Sequence, residues 1–95
     1  MPIRNYKTSL FKRLENLDYA AGYLSACLEE SFESFLLGIR DVAEVHGGLG
    51  ALSKSSKLNR ENMYKMLSKN GNPQLTSIAA LLKALKLQFV VSVRK

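Results

Sequence analysis

Ninety-five residues, 46% of them hydrophobic and 23% charged, with a formal net charge of +6, are enough for one core and too few for a second independent domain. The composition excludes a disordered polymer. Apolar runs such as Leu81-Leu82 and Phe89-Val90-Val91 fall far short of the roughly 20 residues that cross a bilayer, so with no signal-peptide pattern a cytoplasmic protein without membrane partners is expected.

The charge is unevenly placed. Residues 1–13 carry Arg4, Lys7, Lys12 and Arg13, whereas residues 14–51 carry seven carboxylates (Glu15, Asp18, Glu29, Glu30, Glu33, Asp41, Glu44) against Arg40 alone. From residue 52 onward the balance reverses, with Lys54, Lys57, Arg60, Lys65 and Lys69 against Glu61, then Lys83, Lys86, Arg94 and Lys95. A basic half beside an acidic half suggests a polyanion-binding region on a scaffold that does not itself bind polyanions.

In chain order, residues 1–16 read as a basic arm with a short helix from Thr8 to Asn16, capped by Thr8 or Ser9 and apolar at Leu10, Phe11 and Leu14. Residues 17–46 read as two supporting helices. The first runs from an Asp18 cap to Glu30, with an inward stripe of Tyr19, Tyr23, Leu24, Cys27 and Leu28, and Cys27, the lone cysteine, reads as a buried structural thiol. The second runs from a Ser31 cap to His46, with Phe35, Leu36, Ile39, Val42 and Ala43 inward, and Gly47 and Gly48 end it by accepting positive φ. Three short segments follow at 49–56, 59–68 and 75–87, each too short to stand without packing on the others. Between the last two, Lys69-Asn70-Gly71-Asn72-Pro73 is the clearest loop. The tail, 88–95, is β-branched and alternating at Gln88–Val93 and can form a short strand, for which the same segment of a second copy is one partner.

The most informative stretch is residues 49–67, LGALSKSSKLNRENMYKML, which reads as two short helices separated by about three residues. Leu52, Leu58, Met63 and Met66 stand where a helix-turn-helix needs its internal contacts, leaving Arg60, Glu61, Asn62, Tyr64 and Lys65 for the outer side, with Tyr64 weighted toward the core. Arginine pairs bidentately with guanine and asparagine with adenine, so Asn59, Arg60, Asn62 and Lys65 are the candidate base-contacting residues, Asn59 serving equally well as a helix cap. Ser53, Lys54, Lys57, Ser68, Lys69, Asn70 and Asn72 flank them as candidate contacts to the DNA backbone. The expected fold class is therefore all-α, with five to six short helices around a central helix-turn-helix of the lambda-repressor kind.

No catalytic, metal or cofactor site is expected. His46 has no Cys, Asp or Glu companion at metal or triad spacing, and Gly47-Gly48-Leu49-Gly50 lacks the Lys-Ser/Thr ending of a phosphate-cradling loop.

The words Tyr23-Leu24, Leu28-Glu29-Glu30, Asp41-Val42-Ala43, Leu58-Asn59-Arg60-Glu61-Asn62-Met63-Tyr64-Lys65-Met66-Leu67-Ser68, Gly71-Asn72-Pro73 and Leu82-Lys83-Ala84-Leu85 resemble the addiction-module antidote family, relatives of HigA-type antitoxins with a Cro/repressor-like helix-turn-helix. The resemblance implies a dimeric DNA-binding antidote that represses its own operon and neutralises a cognate toxin, commonly a small ribosome-dependent mRNA-cleaving protein; in such a homodimer, paired helix-turn-helix units would meet a palindromic operator in double-stranded DNA. In the turn this chain has Ser53 where the family usually has Ala and Lys57 where it has Gly. Two further uses of the same fold remain open at this point: a phage-type or chromosomal repressor without a toxin partner, and a protein-interaction module that no longer reads DNA.

Overall fold

A computed structural model describes the backbone of residues 2–94 and the side chains of residues 8–94. Six helices follow one another among these residues: α1 (Pro2–Leu14), α2 (Leu17–Glu30), α3 (Phe32–Val45), α4 (Gly48–Ser56), α5 (Arg60–Met66) and α6 (Leu75–Ala84). The all-α expectation holds. The first helix begins well before Thr8, and proline is favoured at a first helical position because its missing N–H would have no partner there. Arg4 and Lys7 of the basic arm lie outside the residues whose side chains are described.

The cap of α2 is Asn16 rather than Asp18: its Oδ1 accepts from the Tyr19 N–H at 3.0 Å, and Asp18 instead sits in the first turn, where a carboxylate suits the positive end of the helix dipole. Ser31 caps α3 as expected, its Oγ accepting from the Ser34 N–H at 2.9 Å. Its own N–H donates to the Cys27 carbonyl at 3.0 Å, so a single extended residue ends one helix and starts the next. The tight link makes α2 and α3 an antiparallel pair, and Gly38 lets them approach closely: a Cβ there would stand 3.1 Å from both the Cys27 Sγ and Leu24 Cδ2.

The expected α3 stripe of Phe35, Leu36, Ile39, Val42 and Ala43 is buried throughout and joins Leu14, Ala20, Leu24, Leu52, Met63, Leu67 and the α6 face of Ile78, Leu81 and Leu82 in one core. The α2 stripe is narrower than expected. Tyr19 and Leu28 are exposed, Tyr23 and Cys27 half-buried, and Ala20 takes the central position. Cys27 is thus half-buried rather than the fully buried thiol that apolar spacing suggested, its Sγ lying against Gly38 where α2 and α3 meet. Its pKa is raised, chiefly by this partial burial. Across the same contact the Tyr23 hydroxyl donates to Asp41 Oδ2 at 3.0 Å.

Gly47 and Gly48 adopt φ of 111° and 86°, turning the chain from α3 into α4. His46, at the end of α3, donates from Nε2 to the Leu14 carbonyl at 2.9 Å and so satisfies an orphan acceptor at the end of α1. The last helix stops at Ala84 rather than at Leu87. Lys86 takes φ of 65°, and the Leu87 N–H donates back to the Leu82 carbonyl at 2.7 Å, a six-residue closure of the Schellman type. Beyond it the expected strand is absent from the single chain: residues 88–94 run as irregular backbone, with Phe89 laid against Phe35 at 6.0 Å between ring centroids.

Candidate nucleic-acid interface

The second half of the molecule presents α5 on a support made by α4. The inward direction of α5 is set by Met63 and Leu67, four residues apart and both fully buried, with Met66 and Leu58 half-buried beside them and Leu52 meeting them from α4. The clasp expected from Leu52, Leu58, Met63 and Met66 therefore forms, with Leu67 added to it. At 100° per residue the direction opposite Met63 falls between Glu61 and Lys65, flanked by Asn62 on one side and Tyr64 on the other. All four, with Arg60, are solvent-exposed.

The turn between the helices is Lys57-Leu58-Asn59, three residues as expected. Lys57 adopts the left-handed conformation, φ 62° and ψ 22°, which is comfortable for glycine and strained for a residue with a side chain. Across the turn the Ser53 hydroxyl donates to the Leu58 carbonyl at 2.5 Å, and the Leu58 N–H donates to the Ser56 Oγ at 3.4 Å. Asn59 then opens α5: its Oδ1 accepts from the N–H groups of Glu61 at 2.8 Å and Asn62 at 3.2 Å. Of its two expected roles, the cap is thus occupied by the side-chain oxygen, which leaves the amide NH2 as a donor.

Arg60 lies on the flank of α5 that faces α3 and α4. Its guanidinium carbon is 5.8 Å from the Tyr64 ring centroid, and Nη2 donates to the Tyr64 hydroxyl at 3.5 Å. A Cβ on Gly50 would stand 3.9 Å from the same guanidinium, an ordinary contact distance, so the arginine lies beside the start of α4. A groove beside it is lined by Leu37, Arg40, Asp41 and Glu44 of α3 and by Gly47–Gly50.

The flanking candidates fall into two groups. Lys54, Lys57, Lys69, Asn70 and Asn72 are exposed. Ser53 and Ser68 are half-buried with their hydroxyls engaged internally, Ser53 across the turn and Ser68 donating to the Lys65 carbonyl at 2.7 Å. The loop after α5 depends on Gly71, where a Cβ would lie 2.0 Å from the Met66 carbonyl oxygen and 3.0 Å from that of Lys65. This close approach brings Lys69, Asn70 and Asn72 around the C-terminal end of α5.

Residues 4–93 match the family described as "Probable addiction module antidote protein". The chain belongs to that family. An uncharacterized protein of Haemophilus influenzae is 34% identical over 70 residues, a match covering 73% of this chain and 71% of the relative. No solved structure matches.

Within this antidote-family chain, the α4–α5 unit gathers Asn62, Lys65, Arg60 and the exposed lysines around one helix, while the carboxylates of α3 lie on the far side of the Arg60 groove. Tyr64, weighted toward the core in the sequence, is exposed, and Glu61, expected on the outer side, stands near its centre. Spacing alone does not decide Tyr64: it lies about 80° from the mean direction of Met63 and Leu67, on the flank that it shares with Arg60. Among the described residues no group of three or more His, Cys, Asp or Glu side chains is placed to hold a metal, and no helix is long and apolar enough to cross a membrane.

Proposed function

We propose that this chain is a cytoplasmic DNA-binding antidote: a dimer that sets two copies of α5 on a palindromic operator near its own gene, represses that operon, and neutralises a cognate toxin. The observation that carries the reading is a short helix whose inner side is locked by Met63 and Leu67 and whose outer side offers Asn62, Lys65 and Arg60 to solvent, in a member of an antidote family.

In this reading α5 enters the major groove by its N-terminal end. Asn62 reads adenine, Arg60 swings from Tyr64 and Gly50 toward guanine or the adjacent phosphate, and Lys65 follows along the groove. Glu61 disfavours a nearby phosphate and accepts from a cytosine amino group. Lys54, Lys57, Lys69, Asn70 and Asn72 clamp the flanking strands, and the Asn59 amide adds a donor at the helix entrance. Ser53 and Ser68 contribute by holding the turn and the end of α5, so their effect on DNA is through geometry.

The test is a mobility-shift titration of the purified protein on the duplex upstream of its gene and on a scrambled duplex of equal composition, at several salt concentrations. The expected result is a preference for the upstream duplex and a loss of roughly one log unit of affinity per log unit of salt for each phosphate contact. Equal, salt-insensitive or absent binding to both duplexes rejects the DNA reading. Co-purification with the product of the neighbouring gene tests the antidote half separately.

A further inference from the structure

The tail after α6 carries apolar side chains that the chain's own body does not cover. Val90, Val91 and Val93 are 76%, 97% and 87% exposed. Residues 88–94 make no backbone hydrogen bond among the described residues, so the segment offers an unpaired edge with a β-branched sequence. Only its beginning is anchored, by Phe89 against Phe35.

In extended backbone Phe89, Val91 and Val93 share one face. That face is longer than the surface on which it starts: Phe89 sits on the body, and the two valines overhang. The body, in turn, has apolar surface that its own tail leaves bare. Phe32, with its ring centroid 6.1 Å from that of Phe35, is 46% exposed, and Leu28, on the groove that also holds Phe89, is 44% exposed.

We propose that the occupant is a second copy of this chain, bound by antiparallel pairing of the two tails about Val91. Pairing identical segments in opposite directions is self-complementary and closes with two-fold symmetry. It sets Val93 of one copy opposite Phe89 of the other, which brings each overhang onto the other copy's Phe35–Phe32 row. Charge fits the same register: Arg94, just past the overhang, arrives beside the partner's acidic corner, where Glu29 and Glu33 flank the exposed Leu28 and Phe32. The dimer belongs to the function proposed above, but this surface and register follow from the tail alone.

The experiment uses the full chain without DNA. Sedimentation analysis of the wild type across the micromolar range is expected to show a dimer, and the V91D/V93D double variant a monomer of unchanged far-ultraviolet helicity, with self-association weakened about a hundredfold or more. Both positions are exposed in the single chain, so the substitutions leave its core intact. In a Cys27→Ala background, V91C is expected to form a disulfide-linked dimer on oxidation, because the residue lies opposite itself across the axis, and V93C is expected not to. A wild type that stays monomeric, a V91D/V93D variant that still dimerises, or linkage at V93C instead of V91C overturns the proposal. So does a monomer whose tail variant loses only a co-purifying neighbour, since that assigns the surface to a different protein. A dimer that ignores every duplex would overturn the DNA reading and leave this one standing.

Discussion

Lys57 is the residue at which the geometry makes the most exposed claim. Its φ of 62° puts it in the left-handed region, at a cost of roughly 1–2 kcal/mol for a residue with a Cβ. Replacing it with glycine removes that cost and adds roughly 0.5–1 kcal/mol of extra chain entropy to the unfolded state, so Lys57→Gly is expected to stabilise the fold by about 0.5–1 kcal/mol. For a domain of this size that is a rise in Tm of about 3–6 °C, measured by thermal unfolding followed at 222 nm. Lys57→Ala is the control. It deletes the same charge and keeps the Cβ, so it is expected to give no such rise. Equal gains from both, or a loss from Lys57→Gly, would refute the strain argument and point to the charge instead. The Ser53 hydroxyl, donating to the Leu58 carbonyl across the same turn, supplies a second arm. Ser53→Ala is expected to cost about 1 kcal/mol alone, and less by about 0.5 kcal/mol when Lys57 is glycine, because the relaxed turn no longer leans on that bond.

Gly71→Ala forces a Cβ into the Met66 carbonyl and is expected to cost about 3 kcal/mol or more by urea unfolding, whereas Gly22→Ala, in an exposed helical position with no atom within 4 Å, is expected to gain about 0.5–1 kcal/mol. On the operator, Asn62→Ala is expected to cost about 1–3 kcal/mol and to erase the preference over scrambled duplex, while Lys65→Ala is expected to lower the salt slope by about one unit; an unchanged preference in Asn62→Ala would remove that residue from the reading face. Burial, then the neighbouring Asp41 carboxylate, raises the Tyr23 pKa above its ordinary 10.0, so the fold favours the protonated phenol. That contribution is fully present below about pH 10 and is lost as pH rises beyond it. Tyr23→Phe is therefore expected to flatten the fall in stability as pH rises above about 10, and an unaltered slope there would contradict the assignment.

Where the sequence was legible, one strong local signal had no rival. The α3 stripe from Phe35 to Ala43, the Gly47-Gly48 break, the Ser31 cap and the three-residue turn before α5 all stand where periodicity and capping chemistry place them. Asp18 reads as the cap of α2 in the sequence, but the first helix ends at Leu14 and frees Asn16, an equally good capping residue, to take that place two residues earlier. The C-terminal boundary of α6 was hidden because a lysine, not a glycine, takes the left-handed position at Lys86. Glycine opposite Cys27 could not be foreseen from either residue alone, since the close approach of α2 and α3 exists only once the helices pair. At the candidate site the inner contacts were readable and the facing of Tyr64 was not, because a single two-turn helix offers too few apolar positions to define its inward direction.

The brevity of α5 has its own consequence. Seven residues rise about 10 Å, close to three base-pair steps, so one protomer can inspect only a few letters of any duplex it meets. Discrimination on a genomic scale would have to come from elsewhere: from a fixed distance between two such short readings, or from how willingly the intervening DNA bends to meet both.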